Sequence, residues 1–286
     1  MFLSERFAEV LGGRGANTGS RQWHYTMIRM KDKPIGVVHP HSWKVSPAEA
    51  RKIQEELRTH WRGEDAFNKI RSVAGLDASF VLTGSQALKK RVGRWNLLRE
   101  ANRAIGCVVM YSFPEMRELE RAYAVLPLTF PYVPGFLSFR EIPALIEALT
   151  KLRNMPDLLF CDAHGYAHPR RLGLASHLGV ILDRPSIGCA KSILIGTHGK
   201  LSGKAGSWTP LIDKSSGGER IGAVLRTRTN VRPIYVSQGH RVSLETSLRL
   251  TLAVIDGYRI PRPTRDADHY AGEIKRKILQ GHSSEN

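Results

Sequence analysis

The sequence predicts an α/β domain built on a mixed β-sheet. Short apolar segments typical of strands alternate with amphipathic segments typical of helices, and several strand-like segments cluster early in the chain. The chain has 286 residues, 42% of them hydrophobic and 24% charged, which is enough for a sizeable core. We find no internal repeat and expect a single domain with terminal extensions.

The N-terminal part carries two signals in succession. Residues 1–44 mix glycine, arginine, serine and histidine without sustained periodicity, so we expect a poorly ordered extension there. The domain itself is expected to cover residues 45–277. It opens with "SPAEARKIQEELRTHW", in which Ser46 suits a helix N-cap, Pro47 suits the first turn and Glu49 completes the capping-box spacing.

Strands and helices then follow in alternation. Lysine and arginine are concentrated in residues 83–104, which we interpret as a basic insertion. We interpret the chain beyond Tyr258 as a basic segment that ends in a C-terminal tail, residues 278–286. Helices are predicted at "SFREIPALIEALTKLR", "RLGLASHLGVILD" and "LETSLRLTLAVID". Strands are predicted at "VAGLDASF", "AIGCVVMYSF", "ERAYAVLPLTF", "DLLFCDAHG", "PSIGCAKSIL", "ERIGAVLRTRT" and "PIYVSQGHRVS".

The net charge points to a polyanionic partner. Lysine and arginine number 43 against 26 acidic residues, which leaves +17, and the sequence pI is about 10.1. Such an excess attracts nucleic acid more often than membrane surfaces. No apolar run is long enough to span a membrane, no secretory signal is present, and the three cysteines form no CxxC pair. We therefore expect a cytoplasmic protein without membrane association.

Three acids are candidates for a metal site. Asp77 and Asp162 each lie at or inside an apolar strand, where an unpaired carboxylate is costly to bury. Neighbouring strands would bring them together around Mg²⁺, which binds one or two carboxylates and completes its octahedron with waters and phosphate oxygens. Glu141 joins them from the first turn of its helix. The structural alternatives are turns for the two aspartates and a capping box from Ser138 to Glu141.

A zinc site is the competing interpretation of "DAHGYAHPRR". Asp162, His164 and His168 are suitable ligands, with the two histidines at i and i+4. That spacing shares one face only on a helix, and Gly165 with Pro169 argue against a helix here. The alternative for both histidines is hydrogen bonding within a loop.

Two basic residues and one stiff turn complete the candidates. Lys191 follows a short apolar run, where its charge either meets a phosphate or extends to solvent. His240 follows a glycine at a strand end, where it suits proton transfer or a structural role. In "TFPYVPGFLSFRE", the prolines of the turn 131–134 restrict φ on both sides of Tyr132, so the ring is either displayed or packed beneath the turn.

Taken together, several segments resemble the endonuclease V family, the inosine-directed nucleases. They lie in the family's order and approximate spacing over roughly residues 44–277, and they are "VAGLDASF", "TFPYVPGFLSFRE", "PDLLFCDAHGYAHPRRLGLASHLG", "PSIGCAKS", "VSQGHRVS" and "IPRPTRDAD". The resemblance implies a ribonuclease H-like fold, Mg²⁺ or alternatively Mn²⁺ as cofactor, and a monomer. It also implies cleavage of DNA or RNA at the second phosphodiester bond 3′ to deoxyinosine or inosine.

The resemblance also assigns roles by position. It implies catalytic roles for Asp77, Glu141, Asp162, Lys191 and His240, with the three acids holding the metal. The turn matches the family's strand-separating wedge, formed by Pro131, Tyr132, Val133 and Pro134. The pocket for the extruded base would be lined by Gly135, Leu137, Gly165 and His168.

Some features depart from the family, and two other functions stay open. Ala163 replaces a usual glycine after the metal-binding aspartate, which puts tight base selectivity in question. The basic stretch 83–104 is longer than expected, and residues 1–44 have no counterpart. The alternatives are a structure-selective nuclease of the same fold and a basic nucleic-acid-binding protein that does not cleave.

Overall fold

A mixed α/β architecture is confirmed by the computed structural model, which describes residues 26–29, 34–83 and 94–281. Its strands are β1 (Thr26–Arg29), β2 (Pro34–Val37), β3 (Ser72–Val81), β4 (Arg103–Ser112), β5 (Glu118–Pro127), β6 (Leu158–Cys161), β7 (Ser186–Ala190), β8 (Thr197–His198), β9 (Trp208–Asp213), β10 (Glu219–Leu225) and β11 (Ile234–His240). One sheet has nine strands in the order β5-β4-β3-β6-β7-β11-β10-β9-β8, and β1 pairs with β2 separately. All seven predicted strands are present, whereas β1, β2, β8 and β9 were not predicted.

Six α-helices are described, and four of them match the predicted segments. They are α1 (Pro47–Arg58), α2 (Arg94–Glu100), α3 (Ser138–Thr150), α4 (Leu174–Leu182), α5 (Leu244–Ala253) and α6 (Arg262–Gly281). The capping box predicted at the start of α1 is confirmed, because the Ser46 side chain accepts from the Glu49 amide and the Glu49 side chain accepts from the Ser46 amide. No helix in the described part of the chain combines the length and apolar character that a membrane span requires.

The centre of the large sheet is parallel and its flanks are antiparallel. β6 runs parallel to β3 on one side and to β7 on the other. The β3–β4–β5 meander is antiparallel, as are the pairings of β7 with β11, β11 with β10, and β10 with β9. The carboxyl ends of β3, β6 and β7 therefore point in one direction, and the loops after them meet at one edge of the sheet.

Helices cover both faces of the sheet. On one face, α1, α3 and α4 pack with β3 around a core that includes Leu57, Phe139 and Leu178. On the other face, α5 and α6 pack through Leu248 and Ala267 in one cluster, and α6 adds Ile274 in another. Burial of apolar side chains on both faces explains why the central strands are continuous apolar runs.

The close approach of α6 to β3 depends on a glycine. A Cβ atom added to Gly75 would lie 1.9 Å from the carbonyl oxygen of Pro263, so any side chain there would collide with the backbone of the first turn of α6. The close packing brings Asp268, in the second turn of α6, toward Asp77, which lies two residues after Gly75 on β3.

The N-terminal boundary at residue 44 requires correction. Residues 1–25 and 30–33 lie outside the described part, but β2 and the residues that follow it pack on the domain. Val37 and Trp43 are both buried in the core beside α3 and α4. Poor order is therefore the wrong expectation for residues 36–44, because two large apolar side chains anchor this segment.

The C-terminal segment also differs from the prediction. The chain beyond Tyr258 forms the 20-residue helix α6, which packs on β3 and β4 and continues to Gly281. The predicted tail boundary at residue 278 therefore falls inside a helix. Within 83–104, residues 84–93 lie outside the described part, α2 follows them, and the last two residues begin β4.

Candidate active site

The carboxylates of Asp77 and Asp162 come from neighbouring parallel strands. Asp77 lies within β3, and Asp162 directly follows β6. The register pairs Leu76 with Cys161, and the Asp162 amide donates to the Leu76 carbonyl oxygen at 3.1 Å. Adjacent strands lie about 4.8 Å apart, so the two acids are side by side at the carboxyl edge. The expectation that neighbouring strands bring them together is confirmed.

Glu141 joins the pair from the first turn of α3. Its side chain is buried, and the charges of Asp77 and Asp162 both act on its carboxyl group. The capping-box alternative is wrong, because α3 has no side-chain cap and Ser138 already lies inside the helix. The Ser138 hydroxyl instead contacts Nδ1 of His177 at 3.0 Å. Glu141 therefore faces the aspartates.

Burial and mutual repulsion raise the pKa values of these acids. Desolvation is the largest cause for Asp77 and Glu141, and the charges of neighbouring carboxylates add to it, so both pKa values lie well above normal. Desolvation also raises the pKa of Asp162, while the neighbouring ammonium group of Lys191 acts in the opposite direction. Carboxyl groups in this environment are strongly stabilised by a cation.

Lys191 supplies one positive charge and connects the site to an acid that the sequence analysis missed. Its Nζ lies 2.5 Å from Oδ2 of Asp162 and 3.0 Å from Oδ2 of Asp268. Asp268 also acts electrostatically on Asp77. The segment "IPRPTRDAD" contained it, but an acid within a basic segment gave no sign of helical packing. The helix α6 carries this fourth carboxylate to the site.

The donor set fits a divalent cation in its chemistry. Carboxylate oxygens are the ligands that Mg²⁺ and Mn²⁺ prefer, and four carboxylates exceed the charge that Lys191 can balance. In the described part of the chain, no three His, Cys, Asp or Glu side chains already converge as a coordination group. The Lys191 ammonium group lies between Asp162 and Asp268, so a bound cation would share Asp162 with it or displace it.

The zinc alternative is wrong. Nε2 of His168 donates to the carbonyl oxygen of Gly135 at 3.1 Å, and Nδ1 accepts from the Arg170 amide at 3.2 Å. With both nitrogens engaged, His168 is the hydrogen-bonding loop residue of the structural interpretation. No group of three His, Cys, Asp or Glu ligands forms around it among the described residues either.

The placement of His240 among the catalytic residues is also wrong. It pairs with Ser186 at the start of β7, whereas Lys191 follows the end of that strand. Five residues of strand separate the two positions, which is about 16 Å. His240 is buried, contacts Oδ1 of Asp183 at 3.3 Å and accepts from the Arg62 amide at 3.2 Å. These contacts give it a structural role at the opposite edge.

The turn 131–134 connects β5 to α3 near the carboxyl edge. Pro131 and Pro134 are exposed, whereas Tyr132 and Val133 are half-buried. Val133 packs against the core beneath the turn. The tyrosine is thus neither fully displayed nor fully packed, and part of its ring surface remains available.

The residue after the turn, Gly135, is held by donors from three side chains. Its carbonyl oxygen accepts from Nε2 of His168, from Arg170 at 2.6 Å and from Nε2 of Gln54 at 3.2 Å. Gln54 is completely buried and accepts in turn from Nε of Arg170. Gln54 and Arg170 were not predicted, although a glutamine in the buried stripe of α1, between Ala50 and Leu57, is a visible signal. We call Gln54, His168 and Arg170 the turn clamp.

The other predicted pocket residues have different surroundings. Leu137 is exposed. Gly165 is required by packing, because an added Cβ would lie 2.1 Å from the carbonyl oxygen of Gln238 on β11. Ala163 packs against the apolar core, so the structure accommodates its methyl group there.

Comparison with known proteins gives one consistent family. The profile of the Endonuclease V family matches residues 55–269. The chain is 49% identical to endonuclease V of Roseiflexus sp. (strain RS-1) over 236 residues, which are 82% of this chain and 96% of that protein. It is 47% identical to endonuclease V of Nostoc sp. (strain PCC 7120), over 82% of this chain and 98% of the relative.

Solved structures agree with the sequence matches. The crystal structure of endonuclease V from Streptomyces avermitilis has a TM-score of 0.72 and 35% identity, covering 83% of this chain and 96% of that one. Ciona intestinalis endonuclease V, in complex with a 24mer DNA containing an inosine followed by a ribo-adenosine, has a TM-score of 0.65 and 27% identity, covering 81% and 98%. The ribonuclease H-like mixed sheet flanked by helices is confirmed.

Proposed function

The chain belongs to the endonuclease V family and is a nuclease, and from that premise we propose that it hydrolyses inosine-containing strands in a metal-dependent reaction. The substrate is DNA, or RNA, with deoxyinosine or inosine, and the cut falls at the second phosphodiester bond 3′ to that base. The observation that carries this proposal is the group of buried carboxylates beside a clamped, proline-stiffened turn. The inosine-containing DNA bound to the Ciona relative agrees with it.

Asp77, Asp162 and Glu141 would hold Mg²⁺, with Mn²⁺ as the alternative, and Asp268 extends the set. The ion would supply a lowered pKa for the attacking water and stabilisation of the charge on the leaving oxygen. The Lys191 ammonium group favours the ionised form of Asp162 through their contact and so opposes the rise of its pKa caused by burial. Its ammonium group also places a positive charge where a substrate phosphate approaches the carboxyl edge.

The turn 131–134 would separate the strands beside the inosine. Extruding a base costs a few kcal/mol, and less for a mispaired base such as hypoxanthine. Because two prolines and the turn clamp hold the turn, Tyr132 loses little conformational freedom on filling the vacated space. Gly135 and Leu137 would line the pocket directly. His168 and Gly165 would shape it, the first by binding Gly135 and the second by close packing.

The deciding experiment compares matched duplexes with one central deoxyinosine or none, each in Mg²⁺ and in EDTA. We expect a cut on the 3′ side of the inosine that requires the metal and is absent from the undamaged duplex. Asp77→Ala should abolish cutting yet retain binding. Asp157→Ala is the matched control, because Asp157 lies at the opposite edge and caps the start of β3.

Other outcomes would favour other functions. Equal cutting of both duplexes, or preference for an undamaged flap, would replace the inosine pocket by a structure-selective nuclease. Absence of cutting on DNA would direct the test to inosine-containing RNA. Binding without cutting on either substrate, unaffected by Asp77→Ala, would identify a binding protein. We propose that the enzyme acts as a monomer in the cytoplasm.

A further inference from the structure

Two loops stand at the same edge of the sheet as the carboxylates but further along it. Residues 199–207 lead into β9, and residues 226–233 connect β10 to β11. Strand pairing shows that these loops lie at the same edge as the site. Trp208 of β9 pairs with Leu225 of β10, which pairs with Ile234 of β11. The next residue of β11, Tyr235, pairs with Ala190 of β7, which directly precedes Lys191. We call residues 199–207 and 226–233 the basic lobe.

The basic lobe carries only positive charge. No aspartate or glutamate occurs between residues 184 and 212 or between 220 and 244. Exposed cations of the lobe are Lys200, Lys204, Arg228 and Arg232. Within the described residues none of these four forms an ion pair with an acid. Their charges are therefore available to an external anion.

Hydrogen bonds between the two loops fix the shape of the lobe. The Asn230 amide donates to Gly203 O at 2.9 Å, and the Gly206 amide donates to Arg226 O at 2.8 Å. Nε of Arg226 donates to Ser202 O at 2.7 Å, so this arginine is used internally. Because the backbone that carries the cations is already ordered, binding a row of anions costs less entropy here than it would on a disordered loop.

Arg259 connects the lobe to the active site. Its guanidinium group donates to the carbonyl oxygens of Lys191 at 2.7 Å and of Pro233 at 2.9 Å. The Thr227 hydroxyl donates to the Arg259 carbonyl oxygen at 2.7 Å. The position of the lobe is therefore coupled to the backbone of Lys191.

Distance along the sheet matches a short length of duplex. Four strand spacings separate β6 from β9, which is about 19 Å. One phosphate per strand occurs about every 3.4 Å along the helix axis, so 19 Å corresponds to five or six base pairs. We propose that the basic lobe binds the phosphate backbone of the nucleic-acid substrate on one side of the cut, five or six base pairs from the carboxylates. This inference rests on the proposed function for the location of the cut.

The test compares two variants that each remove four exposed positive charges. The lobe variant is Lys200→Ala, Lys204→Ala, Arg228→Ala and Arg232→Ala. The control removes four charges from the opposite edge, before β3, β6 and β7, through Lys69→Ala, Arg71→Ala, Arg153→Ala and Arg184→Ala. Binding of a central-deoxyinosine duplex is measured in EDTA between 50 and 200 mM KCl.

The logarithm of affinity falls with the logarithm of salt concentration, and each lost phosphate contact makes this negative slope shallower by about 0.9 on duplex DNA. The slope of the lobe variant should therefore be shallower than that of the wild type by about 3.6, and the slope of the control variant by less than 1. Across the fourfold salt range, wild-type affinity should then fall about 150-fold more than that of the lobe variant. If the quadruple variant has a lowered Tm, two double variants replace it, one with both lysines and one with both arginines changed to alanine. The slope of each should be shallower than that of the wild type by about 1.8.

Shortening one duplex arm at a time tests the distance. Trimming one arm to about four base pairs should weaken the wild type and leave the lobe variant unchanged, since its contact is already lost. Equal slope changes in lobe and control variants, or equal sensitivity to trimming, would overturn the proposal. These are binding measurements, so a lobe effect without inosine-dependent nicking would reject the proposed function and retain the lobe.

Discussion

Replacing Asp77 by asparagine should stabilise the metal-free protein while abolishing cleavage. The side chain keeps its size, and its charge disappears from a buried site that contains Asp162, Glu141 and Asp268. The substitution mimics the protonated carboxyl group that burial already favours, because the pKa of Asp77 is raised mainly by desolvation and then by Asp162. Removal of this like-charge repulsion should therefore increase the free energy of unfolding.

The magnitude follows from the strand spacing. Two unit charges about 4.8 Å apart at an effective dielectric constant near 20 repel by about 3 kcal/mol. Lys191 offsets part of this through its contact with Asp162, so about 3 kcal/mol is the upper limit. At about 2–4 °C per kcal/mol for a domain of this size, we expect the Tm in EDTA to rise, by at most about 6–12 °C.

The effect should depend on pH. The pKa of Asp77 in the folded protein lies above its ordinary value of 3.8. Stability contributed by the protonated group is therefore present below pH 4 and lost as pH rises through the folded pKa. Thermal unfolding in EDTA should show the two proteins nearly equal at pH 4, with the gap widening toward pH 8. Mg²⁺ should then stabilise the wild type more than the variant.

Asp157→Asn provides a control of opposite sign. Oδ2 of Asp157 accepts from the amides of Arg71 at 2.8 Å and Ser72 at 3.0 Å. Loss of that charge should lower the Tm at pH 7, since charge-assisted hydrogen bonds weaken. An unchanged or lower Tm for Asp77→Asn in EDTA at pH 8 would refute the argument that the carboxylates repel one another.

Further predictions concern the residues that the structure reassigned. In nicking and binding assays, Asp268→Asn should reduce kcat at least 10-fold with little change in duplex binding. His240→Gln should retain cleavage in the nicking assay and lower the Tm measured by thermal unfolding. A large loss of kcat at unchanged Tm for His240→Gln would contradict its structural role. Gln54→Leu should leave the carboxylates in place but remove the hydrogen bonds of Gln54 to Gly135 and Arg170. The ratio of the cleavage rate on inosine duplex to that on undamaged duplex should therefore fall about 10-fold. An unchanged ratio would show that the turn clamp does not position the turn.

Local sequence signals determined much of the fold. The capping box of α1 formed as predicted, since its hydrogen bonds join residues only three positions apart, Ser46 and Glu49. The central strands were recognisable because both of their faces are buried, which requires continuous apolar runs. β8 was missed because two exposed residues carry no periodicity. α6 was missed because its many charged residues masked the buried stripe of Ala267, Ala271 and Ile274.

The site was predictable where burial conflicted with charge. Asp77 and Asp162 were identifiable because an acid in an apolar strand is costly unless it has a partner, and parallel strands end at one edge. Lys191 was identified by position and meets Asp162 in the structure. His240 looked equivalent to Lys191, since both end apolar strands. Only the antiparallel register of β11 against β7 shows that these two ends point to opposite edges.

The sequence by itself thus determined the family resemblance, the strand-borne acids and the positive charge, because each is expressed in local composition and spacing. Tertiary structure alone decided which distant residues meet: Asp268 at the carboxylates, the turn clamp at Gly135, and the basic lobe at the same edge. The physical reason is that strand direction, register and close backbone contact, as at Gly75 and Gly165, arise from pairing between remote segments. No local pattern encodes such pairing.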